Sequence, residues 1–123
     1  MTKIARKTIL IVDDDDAYRL LCRECLADEG YDVIVAKNGK EALEELERRD
    51  PDLVVLDVVM PAMDGLEALP QLVRKKRTIP VIINTAYPHY KHDLMSWAAD
   101  AYIVKSSDFS ELKTSIQRLL TRK

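Results

Sequence analysis

What this chain lacks already narrows its class. Only two of its 123 residues are cysteine. The opening MTKIARKT is charged and has no long apolar segment behind it. A disulfide framework and a secretory signal are therefore not expected, and the setting read from them is reducing and cytoplasmic. No apolar run approaches the ~18 residues that a membrane helix needs, so no membrane partner is expected. Positive charge is not in excess. Nineteen lysines and arginines stand against 21 acids, for a formal net charge of −2, which argues against a nucleic-acid-binding module with its basic face. There is no internal repeat, no low-complexity stretch and no linker, and the length fits one domain spanning residues 1–123.

What is present is an alternation. Hydrophobic residues make up 47% and charged residues 33%, the balance of a globular domain with a real core. Five strand candidates run Thr8 to Val12, Tyr31 to Ala36, Leu53 to Leu56, Pro80 to Thr85, and Ala101 to Lys105. The first, third and fourth read as continuously apolar, as strands covered on both faces do. Amphipathic stretches lie between them. The first helix is expected over about 15 to 29, with Cys22, Cys25, Leu26 and Glu29 at helical spacing and Gly30 as its stop. The second starts at Asn38, with Glu41 three residues on and a stripe of Ala42, Leu43 and Leu46, and Pro51 closes it. A third is capped by Asp64 and carries Leu66, Leu69 and Val73, with Pro70 kinking it. A short fourth runs from about Tyr90 to Ala98. The last starts at Asp108 and shows Phe109, Leu112, Ile116, Leu119 and Leu120 on one face. Five βα units with right-handed crossovers build an α/β fold: a five-stranded parallel sheet with helices on both faces.

Sites in such sheets form at the carboxyl ends of the strands. Strand one ends in Asp13 and Asp14, strand three in Asp57, strand four in Thr85, and strand five in Lys105. If these strands are neighbours, the residues converge. Carboxylates at ~4 Å in an effective dielectric of ~20 repel by about 4 kcal/mol per pair. Lys105 supplies one compensating charge and a hard divalent cation the rest, so an all-oxygen site for magnesium is expected. A carboxylate nucleophile, a hydroxyl donor and a lysine around a metal fit phosphoryl transfer onto an aspartate.

The segments ILIVDDDD, VVLDVVMPAMDG, VIINTA and AYIVK, in that order and spacing, resemble the receiver domain of two-component response regulators. The resemblance covers nearly the whole chain. It implies the flavodoxin-like strand order 2-1-3-4-5. It implies Asp57 as the phosphoacceptor, with Thr85 and Lys105 as its catalytic companions. The magnesium site would be Asp14 directly, Asp13 through a bound water, Asp57, and the backbone carbonyl of Val59. Thr85 and Tyr102 would be the switch residues, and Ala86 would keep access open. Met60-Pro61 and Asp64-Gly65 match the loop after the acceptor strand. The implied partners are a sensor histidine kinase or a histidine phosphotransfer protein upstream and a protein target downstream; homodimerisation stays open. No effector domain follows the last helix, so the chain reads as a stand-alone receiver or a piece of a longer regulator.

The sequence departs from the family at several points. Ser106 and Ser107 stand where a proline and an aromatic usually follow the lysine, and a trans Lys105–Ser106 bond is expected because a cis non-proline bond costs ~2.5–4 kcal/mol. Ala98 replaces a frequent glycine. Val59 and Tyr87, two positions after Asp57 and Thr85, are expected to restrict the attacking water and slow dephosphorylation.

Several features have plainer readings. Cys22 and Cys25 form C-x-x-C inside a helix, which suits core packing better than redox or metal chemistry. His89 and His92 read as solvated loop residues rather than ligands. Arg74-Lys75-Lys76-Arg77 reads as a solvated helix end. Trp97 reads as a partly exposed contact residue. Tyr18 and Leu21 are either ordinary packing or an edge where a histidine-bearing helix bundle docks. Two functions compete with phosphoacceptance. One is a degenerate receiver acting as a phosphorylation-independent interaction module, suggested by the missing proline. The other is a turnover enzyme, which the chain is not expected to be: Val59 cannot transfer a proton as a phosphatase's second acid does, and four aspartates after strand one would repel a nucleotide phosphate.

Overall fold

The computed structural model describes residues 6–57, 79–86 and 99–121. The third and fourth helices expected from the sequence lie outside these residues. So do Val59, Met60-Pro61, Asp64-Gly65, Pro70, the basic cluster at 74–77, Tyr87, His89, His92, Trp97 and Ala98.

Among the described residues the order is β1 (Thr8–Val12), α1 (Asp16–Asp28), β2 (Asp32–Ala36), α2 (Gly39–Arg49), β3 (Leu53–Leu56), β4 (Val81–Thr85), β5 (Ala101–Val104) and α3 (Ser110–Thr121). The five strands form one sheet in the order β2-β1-β3-β4-β5, and every pairing is parallel. Strand side chains alternate between faces, and the core divides accordingly. Leu10 and Val12, with Ile34, Val54, Leu56 and Ile83, pack with Ala42 and Leu46 of α2. Ile9 and Ile11, with Val55, Ile82 and Ile103, pack with Cys22 and Leu26 of α1 and with Leu112, Ile116 and Leu119 of α3. Helices therefore cover both faces, and each fully buried Ile or Leu contributes about 1.5–3 kcal/mol of transfer free energy.

The helix signals hold in most details. Asp15 caps α1 by accepting the N–H groups of Ala17 and Tyr18, and Gly30 leaves the helix at φ 96°. Asn38 caps α2 by accepting the Glu41 N–H at 2.8 Å. Glu41 returns to the N–H of Lys37 rather than of Asn38, one residue beyond the N–H that a closed capping box takes. Ahead of Pro51, Asp50 ends α2 in the left-handed region at φ 53°.

Boundaries shift where side chains or neighbours intervene. Tyr31, Pro80 and Lys105 fall just outside β2, β4 and β5. Helix α3 begins at Ser110 rather than Asp108. The Asp108 carboxylate accepts both the N–H of Ser110 at 2.9 Å and its hydroxyl at 2.6 Å. This local turn holds the chain off the helical path until Lys113 N–H reaches the Phe109 carbonyl. Glu29 and Cys25 do not share the buried stripe of Cys22 and Leu26: Glu29 is the exposed C-cap of α1, and Cys25 is half-buried.

Candidate functional site

The parallel order brings the carboxyl ends of β1, β3, β4 and β5 together, and main-chain pairing runs one residue past three of them. The N–H of Asp13 donates to the Ala36 carbonyl at 3.0 Å, that of Asp57 to Val12 at 2.9 Å, and that of Lys105 to Thr85 at 2.8 Å. The backbones of these residues are thus held by the sheet itself.

Asp13, Asp14 and Asp57 each place a carboxylate oxygen within 4.8 Å of the other two. Asp13 is 2% exposed and Asp57 6%, whereas Asp14 is open to solvent. Lys105 Nζ lies 2.7 Å from Asp13 Oδ2 and 3.0 Å from Asp57 Oδ2. It makes this bridge with a trans Lys105–Ser106 bond; among the described residues no peptide bond is cis. The sheet ladder at Thr85, rather than a proline kink, sets where the lysine leaves the backbone.

Burial pushes the Asp13 carboxyl above its usual value. The hydrogen bonds from Lys105 and from the Asp15 N–H, together with the Lys105 charge, offset this only in part, and the Asp57 charge adds to the rise. Burial also opposes the Lys105 ammonium, but Asp13 and Asp57 outweigh it and hold Lys105 above its ordinary value. Three carboxylates facing one ammonium leave two negative charges over. A divalent cation matches that excess, and an all-oxygen donor set with one solvent-open carboxylate suits Mg2+, which keeps water in its shell.

Thr85 ends β4 and is fully buried. Its carbonyl receives the Lys105 N–H, so the hydroxyl-bearing residue at the end of β4 lies beside the ammonium-bearing residue that follows β5. Tyr102, three positions before Lys105, is buried in the same cluster as Val81, Ile83 and Ala99. Ala86 follows Thr85 at an exposed position. The carbonyl of Val59 is outside the described residues.

The aspartate run divides its work. Asp13 and Asp14 join the acidic cluster, Asp15 is the helix cap, and Asp16 takes the Arg19 guanidinium at 2.5 Å. Arg19 also donates to the Asp13 carbonyl at 2.8 Å, fastening the turn that carries two of the three acids. Cys22 is buried, and burial, with Asp13 nearby, pushes its thiol up to about 12. It is core rather than a redox centre. Tyr18 packs against the sheet, whereas Leu21 stands 56% exposed.

One neighbour of the site, Asn84, carries no expectation from the sequence, and a second, Tyr18, is expected there only as packing or a docking edge. Asn84 is 2% exposed and lies inside a strand read there as wholly apolar. Tyr18 donates its hydroxyl to Asn84 Oδ1 at 2.5 Å, and its ring centroid lies 4.6 Å from Lys105 Nζ. The available signal is one amide directly after the apolar Val81-Ile82-Ile83.

Residues 9–117 match the family model described as the response regulator receiver domain. A transcriptional regulatory protein of alkaline phosphatase synthesis, PhoP of Bacillus subtilis, is 36% identical over 118 residues, which are 94% of this chain and 49% of that protein. The chain thus spans about half the length of the curated relative. The response regulator TrrA of Thermotoga maritima, solved in complex with Mg2+ and BeF, is 47% identical with a TM-score of 0.87, covering 92% of this chain and 98% of that one. TrrA solved in complex with the histidine kinase ThkA is 46% identical with a TM-score of 0.86, covering 94% and 99%. With the family model matched from residue 9 to residue 117, which takes in all five strands, Thr8 apart, and the acidic cluster at their carboxyl edge, the chain belongs to the response regulator receiver domains.

Proposed function

We propose that the chain is a single receiver domain over residues 1–123 that accepts a phosphoryl group on Asp57. The donor is a phosphohistidine on a sensor histidine kinase or a phosphotransfer protein, and the TrrA–ThkA complex supports a kinase as partner. The observation that carries this reading is the Lys105 ammonium held within 3.0 Å of Asp57 and 2.7 Å of Asp13 beside a third carboxylate. An oxygen of Asp57 forms the new P–O bond while the P–N bond of the donor breaks; its electron pair leaves with the imidazole, which takes a proton from solvent. Lys105 pairs with a developing phosphoryl oxygen and keeps Asp57 oriented. Asp14, Asp57 and the Val59 carbonyl would hold Mg2+ directly and Asp13 through a bound water, and the ion when bound would supply positive charge to the phosphoryl oxygens.

The product is a dianion at the edge of β3. The Thr85 hydroxyl donates to it, and Tyr102 follows, shifting a two-state equilibrium that a downstream protein target or a second copy of the chain reads. The chain catalyses its own phosphorylation and dephosphorylation at Asp57 and is not a conventional turnover enzyme. No helix among the described residues is long and apolar enough to cross a membrane, which is compatible with a cytoplasmic location. The degenerate-receiver reading rested on the missing proline, and the short Lys105 contacts remove its main support.

Mass spectrometry after incubation with acetyl phosphate and Mg2+ tests the assignment. A gain of one phosphoryl group mapped to Asp57, absent in Asp57→Asn, is the expected result. Undiminished incorporation in the variant overturns it.

A further inference from the structure

Lys105 has to hold its ammonium between two carboxylates without the proline that resembling sequences place after it. Its stem leaves the backbone just past β5, where an unbranched side chain with four rotatable bonds has many alternatives. Besides the two carboxylates it contacts a third group: the Tyr18 ring on α1, 4.6 Å from Nζ, within the range where the face of an aromatic ring attracts a cation.

That ring is itself held from two sides. The Phe109 ring lies 5.6 Å away, centroid to centroid, at the entry to α3. The Tyr18 hydroxyl reaches Asn84 Oδ1. The amide of Asn84 has one orientation available. Its Nδ2 donates to the Ile103 carbonyl at 3.0 Å, and a carbonyl can only accept, so Oδ1 faces Tyr18 and the phenol must donate. Burial raises the Tyr18 phenol above its usual range, which keeps that donor in place. The chain of contacts runs from the main chain of β5, through a side chain of β4, to an α1 ring, and back to the lysine that follows β5. Asn84 otherwise puts a polar amide into an apolar sheet, where an unpaired one is costly.

We propose that Tyr18 and Asn84 are positioning residues for Lys105: the ring is a platform that aims the ammonium at Asp57, and the amide locks the platform. This rests on the phosphoacceptor reading for its functional consequence. The geometry is testable separately.

The test uses the full chain, with Tyr18→Leu, Tyr18→Phe and Asn84→Leu, each checked for folding by circular dichroism. In the NMR spectrum of the wild-type chain the Lys105 ε-methylene protons are expected upfield, shifted by the ring. In Tyr18→Leu they return to ordinary lysine values. In Tyr18→Phe and Asn84→Leu, where the ring stays but its lock is gone, they lie between. Phosphorylation by acetyl phosphate at saturating Mg2+ falls about tenfold in Tyr18→Leu, the size of one cation–ring contact. It falls by less in the other two, and the double variant Tyr18→Phe with Asn84→Leu is no slower than either single one, because both break the same hydrogen bond. Wild-type Lys105 resonances at ordinary values overturn the proposal. So does a folded Tyr18→Leu chain with an unchanged rate, or one that is slow while its Lys105 shifts stay at wild-type values. If Tyr18→Leu does not fold, the wild-type shifts and the two milder variants decide by the same criteria. A wild-type chain that shows the upfield shift yet takes up no phosphoryl group refutes the phosphoacceptor reading and leaves the ring contact standing, so the two failures are distinguishable.

Discussion

At the scale of single residues, neighbouring positions of like chemistry do unlike work. Four consecutive aspartates become two site carboxylates, a helix cap and an arginine partner. The two cysteines part in the same way. Cys22 faces the sheet and is fully buried, and Cys25 is half-buried one turn on. With its thiol pushed up to about 12 by burial, Cys22 is almost wholly protonated at pH 8, and only the thiolate attacks alkylating reagents. Iodoacetamide at pH 8 is expected to leave Cys22 unmodified in the folded chain and to label it once denaturant is added. Peptide mapping that finds Cys22 labelled at equal rates in both states contradicts its placement. Asp13 and Asp14 were legible in the sequence as the end of a strand, but the cap at Asp15, the arginine partner at Asp16 and the parting of the two cysteines were not. Residue type is written there, but whether an Asp or a Cys meets solvent, a backbone N–H or an apolar sheet depends on which way a helix turns.

At the scale of elements, the capping residues were legible because their signals are local. Asn38 and Gly30 act within a few positions of themselves, and each does what its chemistry favours. Asn38→Ala removes the acceptor of the Glu41 N–H and is expected to cost about 1 kcal/mol, measured by urea unfolding; an unchanged midpoint would mean that the cap is replaced by solvent. The start of α3 was misread by two residues because Asp108 binds Ser110 in a turn before the helix rather than capping it from inside. This has a pH signature. The Ser110 hydroxyl and N–H lower the Asp108 pKa below its ordinary 3.8. A carboxylate depressed on folding contributes stability that is present above its unfolded pKa and is lost as pH falls through the folded one. Asp108→Ala is therefore expected to lower the melting temperature at pH 7, and the gap between variant and wild type should close as the pH drops below the usual carboxylate range. A gap that persists at that acidity would assign the loss to something other than the charged turn.

At the scale of the whole molecule, the sheet order converts a scattered set of residues into one site. Asp13, Asp57 and Lys105 are far apart in the chain, yet their side chains meet because β1, β3, β4 and β5 run parallel and side by side. The same convergence concentrates negative charge. Burial leaves Asp13 with a raised pKa even in the company of Lys105. A ligand that binds only the folded chain stabilises it, by about 2.7 kcal/mol at a hundred times its dissociation constant. Mg2+ is thus expected to raise the melting temperature, and Asp14→Asn, which removes the solvent-open carboxylate, to abolish most of the rise. Equal rises in both would place the metal elsewhere.

The sequence by itself determined the alternation of strands and helices, the caps, and which residues end the strands, because hydrophobic period, turn chemistry and chain direction act over short distances. Together with the ordered motifs it also pointed to the 2-1-3-4-5 sheet and to Asp13, Asp14, Asp57, Thr85 and Lys105. Only the tertiary structure decided that Lys105 bridges two buried carboxylates from the trans backbone the sequence led one to expect, and that Asn84 and Tyr18 stand behind it. Those contacts join α1, β4 and the end of β5 through side chains remote in sequence. Their existence depends on helix rotation and strand register, which the packing of the whole core sets and no local pattern encodes.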